Sequence, residues 1–198
     1  MDELISLWLP ILLSSILLFI VSAIFWMAPL HHKKDWVKPP NEEGLLAALK
    51  GAPAGQYMIP WCDPKDFKDD ALKKRWQAGP HASIIVRPGA PNMGKNMGLT
   101  FVFYIVVNIF IAYVATIALD PGDAYLRVFQ VVGTVGIMAY GFGLIPGAIW
   151  FGKSMRSTIT DFFDAIVYGL LTAGMFGWLW PAAQQAINSA PAGAAPGM

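Results

Sequence analysis

Two carboxylates three residues apart, Asp161 and Asp164, stand where a polar loop gives way to the last long apolar run of the chain. Acids at the mouth of a membrane span can bind a cation or relay a proton. They suit the first turn of a helix equally well, because the macrodipole favours negative charge there and Thr160 or Asp161 can serve as N-cap. Neither acid lies deep in the apolar run, so the helix-start reading takes precedence. Asn108 is the one amide well inside an apolar run, and Tyr104, Ala112 and Thr116 share its four-residue row. Tyr104, Asn108 and Thr116, with the two acids, could line a solute path. The plainer role of Asn108 is a hydrogen bond between helices, worth on the order of 1 kcal/mol.

His31, His32, Cys62, Asp63 and His81 are the right types to ligate zinc or copper, but their spacings match no compact metal motif. Beside Lys33 and Lys34, the paired histidines read instead as a basic patch at the lipid headgroups. The segment Arg87 to Gly98 (RPGAPNMGKNMG) carries glycines and a lysine without the order that cradles phosphate, and reads as turn geometry. No histidine pair lies within an apolar run, which disfavours a haem held between helices. A single cysteine excludes an internal disulfide. No catalytic, metal or cofactor-binding residue is assigned, and an enzyme ranks third among the functional classes.

The elements that must position these residues follow from hydropathy. The chain of 198 residues is 56% hydrophobic and only 14% charged, too apolar for an ordinary soluble domain, and its net charge of +1 gives no sign of nucleic acid as a partner. Nine Met, eight Trp and twelve Phe are explained by membrane interfaces and bundle packing. Four apolar runs predict an all-α integral membrane protein. Residues 1–30 form the first span, with Trp8 and Trp26 near its ends and Pro29 closing it. Residues 99–119, 128–151 and 161–181 form the others, and Asp120 to Asp123 makes a tight turn. The first run is too long for a cleaved signal peptide and lacks a basic leader. Pro146 is expected to kink the third span.

Residues 31–98 are too many for a bare connector. Asn41 is expected to cap a short helix that Gly51 ends. Asp63 and Pro64 should open a second helix, with Phe67, Leu72 and Trp76 on its less polar side and Gly79-Pro80 as its stop; Ser83 to Arg87 reads as a short strand. Together with Tyr57 to Trp61 these form a small cap against the headgroups. Residues 182–198 read as a flexible tail. Of the 14 Lys and Arg, eleven lie in this loop and Lys153 and Arg156 lie between spans three and four. The positive-inside rule then places the loop in the cytoplasm and both termini in the periplasm.

Small residues supply the packing surfaces. Ala165, Gly169, Ala173 and Gly177 continue the four-residue row of Asp161, and Ala139, Gly143 and Gly147 make a second row on span three. In lipid, such stripes let helix backbones approach closely.

Trp26-Met-Ala-Pro-Leu30, then Lys34-Asp-Trp36, a polar loop, Met97-Gly-Leu99, a glycine-rich third span and a last span opening on an Asp-containing turn make up a layout. It resembles a bacterial family of small four-span membrane proteins catalogued only as a domain of unknown function. The insert Pro39 to Pro91 exceeds the compact loop of that family. The resemblance implies a bacterial inner-membrane protein and supplies no activity or site residues. The expectation is an accessory or assembly protein in contact with membrane lipids, either a homo-oligomer or a subunit of a larger complex joined through the small-residue faces. The competing class is a small homo-oligomeric transporter or channel.

Overall fold

The computed structural model describes residues 2–28, 31–63, 65 and 68–181. Pro29, Leu30, Pro64, Asp66, Phe67 and the expected tail 182–198 lie outside them. Helix α1 (Asp2–Ser6) and helix α2 (Trp8–Met27) replace a single continuous first span. Leu7 breaks the regular path between them, three residues ahead of Pro10, whose missing N–H cannot close the turn above it. A single turn at His32–Lys34 follows. The loop then forms α3 (Glu42–Leu49), β1 (Gly55–Ile59), α4 (Asp70–Ala78) and β2 (Ala82–Val86).

Asn41 caps α3 as expected, its side chain accepting the Gly44 N–H. Helix α4 starts later than Asp63: Asp69 is the cap, accepting from Ala71 and Leu72, and Gly79 at φ 66 ends it. The expected strand at Ser83 has a partner in the Tyr57 to Trp61 stretch, which was expected only as part of the cap. Tyr57, Met58 and Ile59 pair antiparallel with Ile84, Ser83 and Ala82, so the loop holds a two-stranded sheet beside its two helices.

The remaining spans are α5 (Met93–Ala118), α6 (Tyr125–Gly141) continued after a tight turn at Phe142–Leu144 by α7 (Ile145–Phe151), and α8 (Met155–Trp178). Counting α6 and α7 together, four helices among the described residues are long and apolar enough to cross a membrane. The third span runs from Tyr125 to Phe151, and a tighter helical turn at Phe142–Leu144 replaces α-helix just before Pro146.

Helix α6 packs most closely on α8, and α2 lies against both α5 and α8. Leu7, Leu18, Ile111, Val128, Val132 and Phe176 are fully buried where the four meet. Ile20, Ile24, Val106, Phe110 and Leu170 stay exposed on the outer faces, as lipid-facing positions should.

The α6–α8 seam is built from backbone. A Cβ on Gly169 would lie 2.7 Å from the Ile137 nitrogen, and one on Gly136 would lie 3.0 Å from the Gly169 Cα. Gly133 faces Ala173, and Gly141 faces Phe162 and Ala165. The stripe on the last span is therefore occupied within the chain. Gly177 meets the Tyr125 ring instead. The partner row is Gly133, Gly136 and Gly141, not Ala139, Gly143 and Gly147: Ala139 is exposed, Gly143 has nothing within 4 Å of its Cβ position, and a Cβ on Gly147 would meet the Lys153 side chain rather than α8. The reason is the tighter turn after Gly141, beyond which the chain no longer follows the helical row.

Candidate functional site

Ser154 caps α8, its hydroxyl accepting the Ser157 N–H at 3.1 Å. The helix thus begins a full turn and a half before Asp161, in a segment whose Arg, Ser and Thr residues read as loop. Asp161 is its seventh residue and Asp164 its tenth, about 9 and 14 Å along the axis. The macrodipole acts within the first turn, so it does not account for either acid. This corrects the helix-start reading, and neither Thr160 nor Asp161 is the N-cap.

The two acids face histidines. His31 Nε2 lies 2.5 Å from Asp164 Oδ1, and His32 Nε2 lies 2.9 Å from Asp164 Oδ2. His32 Nδ1 lies 2.7 Å from Asp35 Oδ2 and 3.9 Å from Asp161 Oδ1. A carboxylate only accepts, so with Asp35 and Asp164 ionised both nitrogens of His32 must carry hydrogen: the ring is an imidazolium clamped between two acids. Burial works against that charge, but the hydrogen bonds to Asp164 and Asp35 and the pull of Asp164 and Asp161 outweigh it and raise the pKa above 6.5. Burial likewise pushes Asp35 up, and bonds from His32 and Thr160 with the charges of His32 and Arg156 bring it below 3.8.

Cations and aromatic walls complete the cluster. Lys153 pairs with Asp161. Arg156 Nε sits 3.4 Å from Asp35 Oδ1, an ion pair without hydrogen-bond geometry, and its Nη2 donates to the His31 carbonyl at 3.2 Å. The Thr160 hydroxyl donates to Asp35 Oδ2 at 2.8 Å. Trp26 stacks on His32 with ring centroids 4.0 Å apart, and Phe25 and Phe163 close edge-on against His31. His32 is 6% exposed and Asp164 3%. His32 is therefore inside the end of the bundle rather than in a basic patch at lipid headgroups. Lys33 and Lys34 remain exposed, and Cys62, Asp63 and His81 take no part in this cluster.

Beside the cluster, Asp161, Asp164 and Tyr168 line a cavity of about 260 Å³, open on the side of the exposed Trp26 and Phe103, with Tyr104, Tyr140, Leu144 and Ala165. Tyr104, Tyr140 and Tyr168 stand edge-on to one another with centroids 6.0–6.1 Å apart. The Tyr168 hydroxyl donates to Asp164 Oδ2 at 3.4 Å. Of the expected polar row, Tyr104 and Asn108 are buried; Thr116 bonds back to the Tyr113 carbonyl and is not with them.

Asn108 donates to Ser15 Oγ at 3.1 Å and to the Tyr104 carbonyl at 2.9 Å. Among the described residues its Oδ1, together with Ser14 Oγ, Tyr140 OH and Thr172 Oγ1, is buried without a partner in good hydrogen-bond geometry, and Thr172 and Asn108 lie close to the Tyr140 hydroxyl. Asp35, Thr160 and the serines of α2 were missed from the sequence. Asp35 had one signal, its position three residues after His32.

Comparison with family models, with curated proteins and with solved structures finds no match.

Proposed function

We propose that this chain is a small transporter or channel for an ion or small solute. A cation enters at the cluster of His31, His32 and Asp164 on the loop-side end of the bundle and passes into the cavity among Tyr104, Tyr140 and Tyr168. The reading places it in a bacterial inner membrane with the loop cytoplasmic and both termini periplasmic, since the basic residues concentrate on the loop side. The observation that carries it is Asp164: a carboxylate 3% exposed, in the third turn of a span, held by two histidines and bordering a cavity. Buried acids within spans are costly to retain and mark ion or proton paths.

The buried polar groups Asn108, Tyr140, Thr172 and Ser14 support a polar continuation toward the bundle centre. The cavity has room for several waters at about 30 Å³ each. The site binds and passes; no bond-making chemistry is assigned to it.

The test is flux from sealed proteoliposomes under imposed gradients of protons, sodium, potassium and zinc. The expected result is cation-selective flux that Asn108→Leu abolishes while costing the folded bundle no more than about 1 kcal/mol, the value of one interhelical hydrogen bond. Tight vesicles under every gradient overturn the reading. An accessory or oligomeric subunit is the second reading, favoured by the outward face at Ala139 and Gly143, which none of the described residues covers.

A further inference from the structure

We propose that the cluster is a binding site for one divalent first-row transition metal of the zinc or iron(II) class, ligated by His31 Nε2, His32 Nε2 and the Asp164 carboxylate. The inference names the cation class of the site proposed above and rests on that site being a cation-binding one. Two imidazoles and one carboxylate converge here from two chain segments, His31–His32 and α8, with their ligand atoms all within 4.8 Å of one another. Zinc takes nitrogen and carboxylate oxygen at about 2.0–2.2 Å, which sets neighbouring ligands about 3.4 Å apart in a tetrahedron. The present separations of 2.5 and 2.9 Å need to open by less than about 1 Å to admit the ion.

The surroundings are those a metal site requires. A ligating histidine ordinarily donates its other N–H to a carboxylate, which fixes the ring and strengthens it as a donor. His32 does this through Nδ1 to Asp35, whose other contacts are the Thr160 hydroxyl and Arg156. Stacking on Trp26 holds the His32 plane, and Phe25 and Phe163 hold His31.

Charge favours the same three ligands. Asp161 belongs to Lys153 and Asp35 to Arg156, whereas among the described residues Asp164 has no Lys or Arg partner. The ion displaces the proton that His32 Nε2 carries in the metal-free cluster; with both imidazoles then neutral, three carboxylates against two cations leave one negative charge for the ion to meet. The alternative set of His32, Asp35 and Asp161 is the poorer one, because both of its acids already have a basic partner. Asp164 also lines the cavity, so the open side of a three-ligand site faces the space where a solute or water would sit.

The test is equilibrium dialysis of the full chain in detergent against Zn2+, with Mg2+ as the control ion. The expected result is one zinc per chain, no magnesium retained, and binding weakened at least tenfold by Asp164→Asn and by His31→Gln, with Cys62→Ser and His81→Gln unchanged. His31 is partly exposed at the edge of the cluster, so its variant is expected to keep the fold if the buried Asp164 variant does not. Substoichiometric zinc, zinc indifferent to His31→Gln, or zinc lost with Cys62→Ser or His81→Gln overturns the proposal. Zinc bound as expected in a protein that passes no ion leaves the site standing and removes the transport reading. Proton or sodium flux in a chain that binds no zinc does the reverse.

Discussion

The two ends of α8 are packed on opposite principles. From Ala165 to Ala173 the helix meets α6 across a dry seam in which glycine backbones touch, with Gly136 and Gly169 face to face. From Thr160 to Asp164 it meets the chain after α2 through ions and hydrogen bonds, with His32 held between Asp164 and Asp35. Where Gly136 meets Gly169 the seam is backbone against backbone with no room to give. The cluster has charges that need one another and a cavity beside it. A dry backbone contact has one arrangement, whereas a charged cluster can exchange protons or ions without taking the helices apart.

The largest expected effect comes from forcing a side chain into the seam. In Gly169→Leu the new Cβ meets the Ile137 nitrogen at 2.7 Å, and a helix backbone cannot step aside as a flexible side chain can. Overpacking costs about 1–3 kcal/mol where side chains can adjust, so a backbone clash should cost about 3 kcal/mol or more. Thermal unfolding in detergent checks this. Unchanged stability would mean that α6 and α8 are not in backbone contact, and the contrast between the two ends would fail.

The cluster end should respond to pH where the seam does not. With a chelator present to remove metal ions, Asp35 has a lowered pKa, so its contribution is present above its ordinary 3.8 and lost as pH falls through the lowered value. His32 has a raised pKa, so its contribution is complete below its ordinary 6.5 and lost as pH rises through the raised value. Thermal stability should therefore be highest between about pH 4 and 6.5 and fall on both sides. His32→Gln should flatten the alkaline side, and Gly169→Leu should lower the whole curve without changing its shape. An alkaline limb that survives His32→Gln would place its origin elsewhere.

How much of this was written in the chain differs between the ends. The four spans were legible because each apolar run is long enough to cross a bilayer, and the α8 stripe was legible because four-residue spacing puts Ala165, Gly169 and Ala173 on one face. Its partner row was not: the tighter turn at Phe142–Leu144 takes Gly143 and Gly147 off the face that Gly133, Gly136 and Gly141 occupy. The cluster was hidden by separation and by composition. His32 and Asp164 lie 132 residues apart, and the polar run from Ser154 to Thr160 disguised the first turns of α8 as loop. That single misplacement made Asp161 and Asp164 look like helix-start residues. The α2 serines read as interruptions of an apolar run, yet Ser15 is where Asn108 finds its partner.

The smallest expected effect on the fold sharpens the contrast from the side of the seam that lacks a partner. Gly143 sits on the same span as Gly136, but a Cβ there meets nothing within 4 Å. Gly143→Leu should leave monomer stability within about 0.5 kcal/mol, as substitutions away from packed features do. Its exposure beside Ala139 makes it a surface on which a second copy or another membrane protein could dock with close backbone approach. If the protein assembles there, mass measured in detergent should fall to that of one chain in Gly143→Leu while the unfolding temperature stays put. If mass is unchanged, the small residues of span three serve only the contact with α8, and the accessory-subunit reading loses the one feature that favours it.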